Sequence, residues 1–418
     1  MPCARIGGTP VIVASIDLRG GKAVQLQQGR VPVLERDDVF ELAARFGRLG
    51  EIAVIDLDAA FGEGENTEMI LQLCRIARCR VGGGIRDLER ARRYLRGGAA
   101  QIIIGTAASA ELLEKLPREH TIVALDARAG RVALDGWRST TNETPLERAA
   151  RFESLCAGFL FTDIEREGML GGVDLAAAAA LRERVSGSLT LAGGVTTIDE
   201  IVALDRLGID AQVGMALYTG RLDPVEAVVA TVDFSRGSGL VPTVVCDARD
   251  RSVRMLAYSN PQSLAIALRE GIGAYWSRRR SSIWRKGETS GAVQRLVRIE
   301  VDCDRDALTF YVEQSGATCH TGAERCFGAP AFSWSTLLSR IEQRASGGDE
   351  RSYTRKLLAD PALLREKLLE ESAEVAEAVT HDEVAWECAD LLYFLSVRMQ
   401  AAGIGIDDVM AQLAARAV

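Results

Sequence analysis

The sequence predicts a multidomain protein: a (β/α)8 TIM barrel over residues 1–234, a small α+β metal-binding domain over 235–331 and an all-α helical bundle over 332–418. Three observations predict this order. Short apolar runs alternate with amphipathic, charged segments in the first part of the chain. That part also repeats itself. Beyond about residue 330, apolar residues recur every three to four positions, as they do in helical bundles.

Composition is typical of a globular protein. The 418 residues suffice for two or three domains, and 47% of them are hydrophobic. A net charge of −8 argues against non-specific binding to nucleic acid. The nine cysteines are scattered, which is typical of a reducing compartment, and no apolar run reaches the ~18 residues of a membrane span. We therefore expect a cytoplasmic protein.

Eight β-rich runs predict the barrel. A helical segment follows each run, for example residues 38–50 and 87–97. About eight β/α units in a little over 200 residues are what a (β/α)8 barrel requires. The runs are residues 11–17, 53–58, 80–85, 101–106, 122–126, 159–164, 189–195 and 211–216.

An internal repeat indicates that the barrel consists of two related halves. The matching segments are residues 16–22 with 125–131, residues 83–85 with 193–195 and residues 104–105 with 213–214, which lie 109, 110 and 109 positions apart.

The repeated positions carry groups suited to acid–base chemistry. Asp17 and Asp126 end the first and fifth runs, so we expect them to face each other at the C-terminal rim, where barrel active sites lie. Two opposed carboxylates suit the roles of general acid and general base.

Glycines lie near the ends of the third, fourth, seventh and eighth runs, where each strand passes into a turn: Gly84, Gly105, Gly194 and Gly214. Such turns expose backbone N–H groups at helix N-termini, and these bind phosphate. The four glycines predict a substrate with a phosphate at each end. The alternative is that they make tight turns and nothing more.

The motifs of this region are residues 14–18, 81–86, 124–126, 135–137 and 161–164. With them, residues 10–232 resemble the histidine-pathway sugar isomerase that acts on ProFAR. The resemblance implies a barrel that performs an aldose-to-ketose Amadori rearrangement, with Asp17 as the base. It also implies that Arg19 and Trp137 contact the substrate.

The acid of that isomerase family lies in an Arg-Asp-Gly or Lys-Asp-Gly loop after the sixth strand. This chain has Arg166-Glu167-Gly168 there, so the carboxylate is kept with one extra methylene. The resemblance makes Glu167 the candidate acid, a role that Asp126 could share. Catalytic geometry is sensitive to displacements of about 1 Å, so the change matters.

A glycine-rich joint at residues 235–239 predicts a linker into the middle domain. A helix is predicted from Asn260-Pro261 to about Arg269. Strand-like segments lie at residues 241–247, 253–258, 273–277, 293–301 and 307–312. This mixture predicts a small α+β domain.

The middle domain contains an acidic stretch in which Asp302, Asp304 and Asp306 alternate with Cys303. In an extended strand, alternate side chains share a face, so we expect the three carboxylates to point one way and the thiol the other. Carboxylates suit Mg²⁺ and thiolates suit Zn²⁺. The stretch therefore predicts two metal sites, and an exposed acidic strand is the alternative.

A second unusual stretch runs from residue 275 to residue 291. It mixes cations, hydroxyl groups and an aromatic ring, which suit phosphate and base binding, and a solvated basic loop is the alternative. The candidate residues are Arg278, Trp284, Lys286, Thr289 and Ser290.

The motifs at residues 255–258, 284–291, 302–306 and 319–322 resemble phosphoribosyl-AMP cyclohydrolase. That family is a homodimer. The resemblance implies Zn²⁺ held by Cys303, Cys319 and Cys326 drawn from both subunits, and zinc-activated water that opens the adenine ring. It implies His320 as proton shuttle and Mg²⁺ at the aspartates, near the substrate phosphate.

Two positions depart from the cyclohydrolase pattern. Ser259 stands where the family has methionine, and Ala292 stands where it has histidine. The loss of that histidine beside the Thr-Ser-Gly loop predicts reduced activity.

The last part of the chain predicts four helices. They cover residues 335–345, a segment from Pro361 to about 379 capped by Asp360, a segment from 383 to about 402 capped by Asp382, and a short helix from near 407. Residues 346–349 separate the first two.

Two pairs of acidic residues, each spaced three apart, lie on neighbouring predicted helices: Glu371 with Glu374 and Glu387 with Asp390. The turn between the helices can bring both pairs together as a four-carboxylate Mg²⁺ site. For each pair taken alone, a solvated helix face is the better explanation, and the two pairs together favour the Mg²⁺ site.

This spacing, with residues 352–357, resembles phosphoribosyl-ATP pyrophosphohydrolase. The resemblance implies cleavage of the α–β phosphate bond, assistance from Lys367 and Glu370, and a dimer.

The three resemblances name consecutive steps of histidine biosynthesis. We therefore expect a trifunctional enzyme for small phosphoribosyl nucleotides, requiring Zn²⁺ and Mg²⁺, that does not act on nucleic acid or membranes. We expect a homodimer through the cyclohydrolase and helical domains. Two alternatives remain: a barrel that also accepts phosphoribosylanthranilate, or a catalytically degenerate domain that serves as a dimerising scaffold.

Overall fold

Eight parallel strands close on themselves at the start of the chain. The computed structural model describes residues 11–328, 332–347 and 351–414. Contacts divide the chain into two compact units, the first reaching Phe327 and the second running from Gly328 to Leu413. Part of the predicted break at residues 346–349 lies outside the described residues. In the described residues, no helix combines the length and apolar content needed to cross a membrane.

From residue 11, where the described structure begins, the barrel part has twelve strands and ten α-helices. The strands are β1 (Ile12–Arg19), β2 (Lys22–Gln27), β3 (Val31–Arg36), β4 (Ile52–Asp56), β5 (Cys79–Gly82), β6 (Gln101–Ile104), β7 (Thr121–Arg128), β8 (Arg131–Leu134), β9 (Ser139–Thr140), β10 (Gly158–Asp163), β11 (Ser188–Ala192) and β12 (Asp210–Val213). The helices are α1 (Val39–Gly47), α2 (Leu57–Phe61), α3 (Thr67–Ile76), α4 (Leu88–Arg96), α5 (Ala110–Leu113), α6 (Pro145–Phe152), α7 (Leu175–Arg184), α8 (Ile198–Arg206), α9 (Met215–Tyr218) and α10 (Pro224–Ala230).

The barrel prediction is confirmed. The closed order is β1, β4, β5, β6, β7, β10, β11 and β12, with β12 paired to β1 and β7 paired to β10. Its strands read as nearly continuous apolar runs because both faces are buried. On β6, for example, Ile103 packs inside the barrel with Ile122 and Leu160, whereas Ile102 and Ile104 face the surrounding helices.

Two antiparallel extensions begin at the ends of β1 and β7, the strands that carry Asp17 and Asp126. The sequence did not predict them. β1 turns at Gly20-Gly21 into β2 and β3, and β7 turns at Ala129-Gly130 into β8 and β9. All four turn residues have positive φ, between 49° and 76°. The same extension in both halves supports the internal repeat.

The middle part carries a four-stranded sheet in the order β14, β13, β18, β17, and a separate pair, β15 with β16. The elements are β13 (Val241–Asp247), β14 (Val253–Ser259), α11 (Pro261–Glu270), β15 (Ala274–Ser277), β16 (Ser282–Arg285), β17 (Gln294–Val301) and β18 (Leu308–Gln314). Asn260 caps α11, whose first residue is Pro261, as expected. The short β16 was not predicted.

The expectation of an extended acidic strand is wrong. β17 ends at Val301 and β18 begins at Leu308, and these two residues are antiparallel partners. The chain must therefore reverse within six residues. Arg305 takes φ +67° in this turn, and the Ala307 N–H donates to the Asp302 carboxylate at 3.0 Å. We call residues 302–306 the acidic turn.

The second unit is helical. Its helices are α12 (Trp334–Ser346), α13 (Tyr353–Ala359), α14 (Pro361–Glu377), α15 (His381–Ala402) and α16 (Ile406–Ala414). Ile341, Leu357, Leu364, Phe394 and Val397 form its core.

Two details of this unit differ from expectation. Helix α13 was not predicted. The cap of α15 is Thr380, not Asp382, because the Thr380 hydroxyl accepts from the Glu383 N–H while the Glu383 carboxylate accepts from the Thr380 N–H. This reciprocal pair satisfies two free donors at the helix start.

Candidate active sites

Three carboxyl groups converge at the C-terminal end of the barrel. Asp17 comes from β1, Asp126 from β7 and Glu167 from the loop after β10. All three line one cavity of about 220 Å³. Barrel closure makes neighbours of residues up to 150 positions apart in the chain.

These carboxyl groups differ in pKa. Burial raises the pKa of Asp17 to about 6, opposed by a hydrogen bond from Ser15 at 2.8 Å. Burial raises the pKa of Glu167 to about 8, with further contributions from the charges of Asp17, Asp126 and Asp163. Burial also raises the pKa of Asp126, while hydrogen bonds from Trp137 and Thr162 lower it. Near neutral pH, Asp17 is ionised and Glu167 is protonated.

The Glu167 loop is held by the end of the first extension. Gln28 donates its backbone N–H to the Glu167 carbonyl at 2.9 Å and its side-chain Nε2 to the Glu165 carbonyl at 3.1 Å. Gly168 has φ +70°, and a Cβ there would lie 2.5 Å from the Leu26 carbonyl oxygen. The loop therefore lies directly against the backbone of β2, and this contact positions Glu167 at the cavity.

Three of the four candidate phosphate-binding glycines line the cavity: Gly84, Gly105 and Gly214. Gly84 has φ +65°, and a Cβ there would meet the Ala59 backbone at 2.5 Å. Gly194 does not line the cavity, because the Gly172 carbonyl covers it, 2.3 Å from where a Cβ would stand.

The two residues expected to contact the substrate lie in different places. Trp137 lines the cavity, and its ring packs so close to Gly29 that a Cβ there would lie 2.6 Å from it. Arg19 is outside the lining; its guanidinium pairs with Glu63 at 2.9 Å and lies over the Phe61 ring.

Sequence reasoning missed the polar residues that support the carboxylates. Ser15 bonds to Asp17, and Gln212 donates to Ser15 at 3.5 Å. Thr162 bonds to Asp126. A signal was available, because Ser15 lies two residues before Asp17 and therefore points to the same face of β1.

The candidate zinc ligands fall into two places. Cys319 and Cys326 interact directly through their side chains, and hydrogen bonds from Thr321 lower the pKa of Cys319. Cys303 lies in the acidic turn, before β18, whereas the pair follows β18 and Cys326 bonds to the Arg254 carbonyl. Seven strand residues at ~3.3 Å each separate these ends by roughly 20 Å. In the described chain, Cys303 therefore does not join the pair.

Lys286, a candidate phosphate-binding residue of the stretch 275–291, interacts electrostatically with the cysteine pair. Lys286 is buried and donates to the Ala292 carbonyl at 3.4 Å. Burial lowers its pKa, and the charges of Cys326 and Cys319 offset part of this shift. His320 is exposed, with Nδ1 3.8 Å from the Cys319 sulfur.

The other loop residues have mixed surroundings. Arg278 lies 3.8 Å from the centre of the Tyr258 ring, and Trp284 packs against Tyr275 with ring centres 5.8 Å apart. Thr289 and Ser290 lie in an exposed turn.

The acidic turn gathers its carboxylates despite not being a strand. Asp302, Asp304 and Asp306 each offer an oxygen within 4.8 Å of the others. Burial raises the pKa of Asp302, and the charges of Asp304 and Asp306 add to the rise. The donor set therefore fits a hard divalent cation.

The helical unit brings a second carboxylate group together. Oxygens of Glu371, Glu374 and Glu387 lie within 4.8 Å of one another. Burial, followed by the charges of Glu374 and Asp390, raises the pKa of both Glu371 and Glu387. Lys367 pairs with Glu370 at 2.6 Å on the same helix. The arrangement is a strongly negative site between α14 and α15.

Comparison with known proteins relates these sites to a family. Residues 11–223, just over half of the chain, match the family described as histidine biosynthesis protein. The chain belongs to this histidine biosynthesis family. Residues 255–328 match phosphoribosyl-AMP cyclohydrolase, and residues 335–417 match phosphoribosyl-ATP pyrophosphohydrolase. These matches confirm the three resemblances in their predicted order.

Individual relatives match different shares of the chain. A phosphoribosyl imidazole-carboxamide isomerase of Ruminiclostridium cellulolyticum is 38% identical over 234 residues, which is 53% of this chain and 99% of that protein. A histidine biosynthesis trifunctional protein of Kluyveromyces lactis is 44% identical over 185 residues, 44% of this chain. The match spans 23% of the Kluyveromyces protein.

Proposed function

We propose that this chain is a trifunctional enzyme of histidine biosynthesis. It splits phosphoribosyl-ATP into phosphoribosyl-AMP and pyrophosphate, opens the adenine ring of phosphoribosyl-AMP and isomerises ProFAR. The observation that carries the proposal is that each family match contains its own cluster of converging reactive side chains. The proposed domain limits are residues 1–234, 235–331 and 332–418.

The isomerase reaction uses two carboxyl groups with different pKa values in one cavity. Asp17, ionised at neutral pH, takes the C2′ proton of the opened ribose, and Glu167, protonated at that pH, gives a proton to the ring oxygen. Asp126 is held by Trp137 and Thr162 and shares the negative field of the site. The backbone N–H groups around Gly84, Gly105 and Gly214 bind the two phosphates.

The cyclohydrolase reaction depends on the cysteine pair and on Cys303. Soft thiolates of this number suit zinc with one open position, and bound zinc would supply activated water. His320, adjacent to Cys319, is placed to carry a proton. Lys286, Thr289 and Ser290 bind the substrate phosphate, and the acidic turn holds Mg²⁺.

The pyrophosphohydrolase reaction depends on the four carboxylates of α14 and α15. Burial first, and then the charges of neighbouring carboxylates, raise the pKa of Glu371 and Glu387, and a bound divalent cation would offset both effects. Bound Mg²⁺ would neutralise phosphate charge. Lys367 lies one turn before Glu371 on α14, Glu370 lies next to Glu371, and both assist.

A second copy of this chain is the proposed partner. In the helical unit, Leu369, Val379 and Trp386 are 61%, 87% and 71% exposed, and large apolar side chains at such exposure mark contact surfaces. The separation of Cys303 from Cys319 and Cys326 supports a zinc site shared between subunits. The proposed location is the cytoplasm.

The decisive experiment supplies purified full-length chain with phosphoribosyl-ATP, phosphoribosyl-AMP and ProFAR in separate assays, with zinc and magnesium present. We expect turnover of all three. Failure with one intermediate, at full metal content, would remove that domain's activity from the proposal and support a scaffold role for it.

A further inference from the structure

The acidic turn is contacted by an arginine of the segment that joins it to the barrel. Arg236 Nη1 donates to Asp304 Oδ2 at 2.6 Å and to Asp306 Oδ2 at 3.2 Å. Its Nε lies 3.2 Å from Asp233 Oδ2. One guanidinium therefore rests on two of the three carboxylates that would bind a cation.

A separate set of contacts holds the turn to the barrel. Arg305 pairs with Asp205 of α8 at 2.7 Å, and both side chains are largely buried. The Asp233 N–H donates to the Arg305 carbonyl, also at 2.7 Å. These contacts use neither Asp304 nor Asp306, so they can persist when the Arg236 contacts break.

A divalent cation and Arg236 require the same oxygens. Mg²⁺ binds through carboxylate lone pairs in a compact octahedron, and the Oδ2 atoms of Asp304 and Asp306 are already accepting hydrogen bonds from Arg236. The two positive charges would also repel each other at this distance. Occupation by both is therefore unfavourable.

We propose that Arg236 is an intramolecular counter-ion that competes with a divalent cation for the acidic turn, so that cation binding releases the joining segment, residues 235–239, from the turn. This inference rests on the proposed Mg²⁺ site there. Arg236 then weakens Mg²⁺ binding at the turn. Mg²⁺ binding in turn frees the segment between the barrel and the cyclohydrolase region.

The solvent exposure of these ion pairs limits how much Arg236 can change the Mg²⁺ affinity. Arg236 and Asp304 are 53% and 52% exposed, and Asp306 is 33% exposed. Exposed ion pairs are weak, so removing this competitor should tighten cation binding by about twofold to fivefold and no more.

The test is calorimetric titration with Mg²⁺ of full-length chain that carries Glu374→Gln and Glu387→Gln, which remove one carboxylate of the helical cluster from each of its two helices. In that background, Arg236→Gln should lower the Kd about twofold to fivefold, and Arg236→Lys should stay nearer the parent. The matched control is Arg269→Gln. Arg269 also bridges two carboxylates, Asp223 and Glu226, but away from the turn, so its Kd should not change.

Hydrogen exchange gives a readout that does not depend on activity. Mg²⁺ should speed amide exchange at residues 235–239 in the wild-type chain and leave it unchanged in Asp304→Asn. An unchanged or weaker Mg²⁺ affinity in Arg236→Gln would overturn the competition alone. If neither parent nor variant binds Mg²⁺ at the turn, both the competition and the proposed Mg²⁺ site there are wrong.

Discussion

At the scale of residues, the barrel site depends on environments that separate the pKa values of similar groups. Asp17 and Glu167 share a cavity, yet Glu167 also experiences the charges of Asp17, Asp126 and Asp163. Two carboxyl groups pushed apart in this way can act as base and acid at the same pH. In the proposed isomerase reaction, the raised pKa of Glu167 therefore suits it to the role of acid.

The first prediction concerns pH. The base must be ionised, and a pKa of about 6 for Asp17 means that activity falls as pH drops through that value. The acid must be protonated, and a pKa of about 8 for Glu167 means that activity also falls as pH rises through that value. The kcat/KM of ProFAR isomerisation, which reports the ionisation of the free enzyme, should therefore follow a bell with a maximum near pH 7, measured by initial rates at low substrate concentration.

Because the two groups interact, the limbs of the bell belong to the pair. Glu167→Gln should remove the alkaline limb and lower kcat by about 10²–10⁴-fold, the usual contribution of a general acid. A variant that keeps both limbs would transfer the acid role to Asp126.

The second prediction concerns the base. Asp17→Asn should reduce isomerase kcat by about 10²–10⁴-fold, because the amide cannot accept the proton. The other two reactions should be unaffected in the same preparation. Asp37→Asn is the matched control, since this aspartate is 83% exposed and pairs only loosely with Lys22 at 3.3 Å. Equal loss in both variants would argue against the assignment.

At the scale of elements, two helices create the second carboxylate cluster. Pro361 starts α14 and the capping box of Thr380 and Glu383 starts α15, with three residues, 378–380, between the helices. So short a connection makes the helices antiparallel neighbours. Glu371 and Glu374 then face Glu387 across the pair, which neither helix could achieve alone.

The third prediction follows from this pairing. Glu374→Gln should weaken Mg²⁺ binding at the helical cluster by at least about tenfold, and lower pyrophosphohydrolase turnover at limiting Mg²⁺. Titration calorimetry provides the affinity. Glu366→Gln, an exposed glutamate on the same helix, is the control and should bind as the wild type does. The cluster assignment fails if the two variants are indistinguishable.

At the scale of the whole molecule, the candidate zinc ligands are separated by the length of β18. The acidic turn with Cys303 lies at one end of that strand and the Cys319–Cys326 pair at the other. A rigid, hydrogen-bonded sheet cannot fold to bring them together. A second subunit can supply the missing thiolate, which is why the dimer proposal and the zinc proposal stand together.

The fourth prediction tests that division by mixing two inactive variants. Cys303→Ser and Cys319→Ser chains should each lose cyclohydrolase activity and bound zinc. After they are unfolded and refolded together, mixed dimers contain one intact site, so about a quarter of the wild-type activity should return for random pairing. Zinc content and turnover are the measurements.

Control variants distinguish activity recovered in mixed dimers from activity lost because a variant is unstable. Cys74→Ser, a half-buried cysteine on α3, should retain zinc. Cys303→Ser mixed with itself should recover nothing. Full zinc content in a chain that sediments as a monomer would contradict the shared site.

The outline of this protein could be predicted because its signals are local. Strand burial appears as apolar runs, helix starts as caps and prolines, and the half-barrel repeat as matching motifs. The eight barrel strands, the helix after Asn260 and the helix after Asp360 were all predicted to within a few residues. Hairpin extensions and short elements such as β16 and α13 were missed, because their patterns are too brief to stand out.

The sequence by itself determined which residue types are available: the carboxyl groups, cysteines and glycines of the three predicted sites. The tertiary structure decided which of them meet. Closure of the barrel brings Glu167 into the same cavity as Asp17. Antiparallel pairing of β17 with β18 makes the acidic stretch a turn, and Arg236 donates a hydrogen bond to Asp304 in it. Such meetings depend on strand register and loop path over many residues, whereas sequence patterns report only on neighbours along the chain.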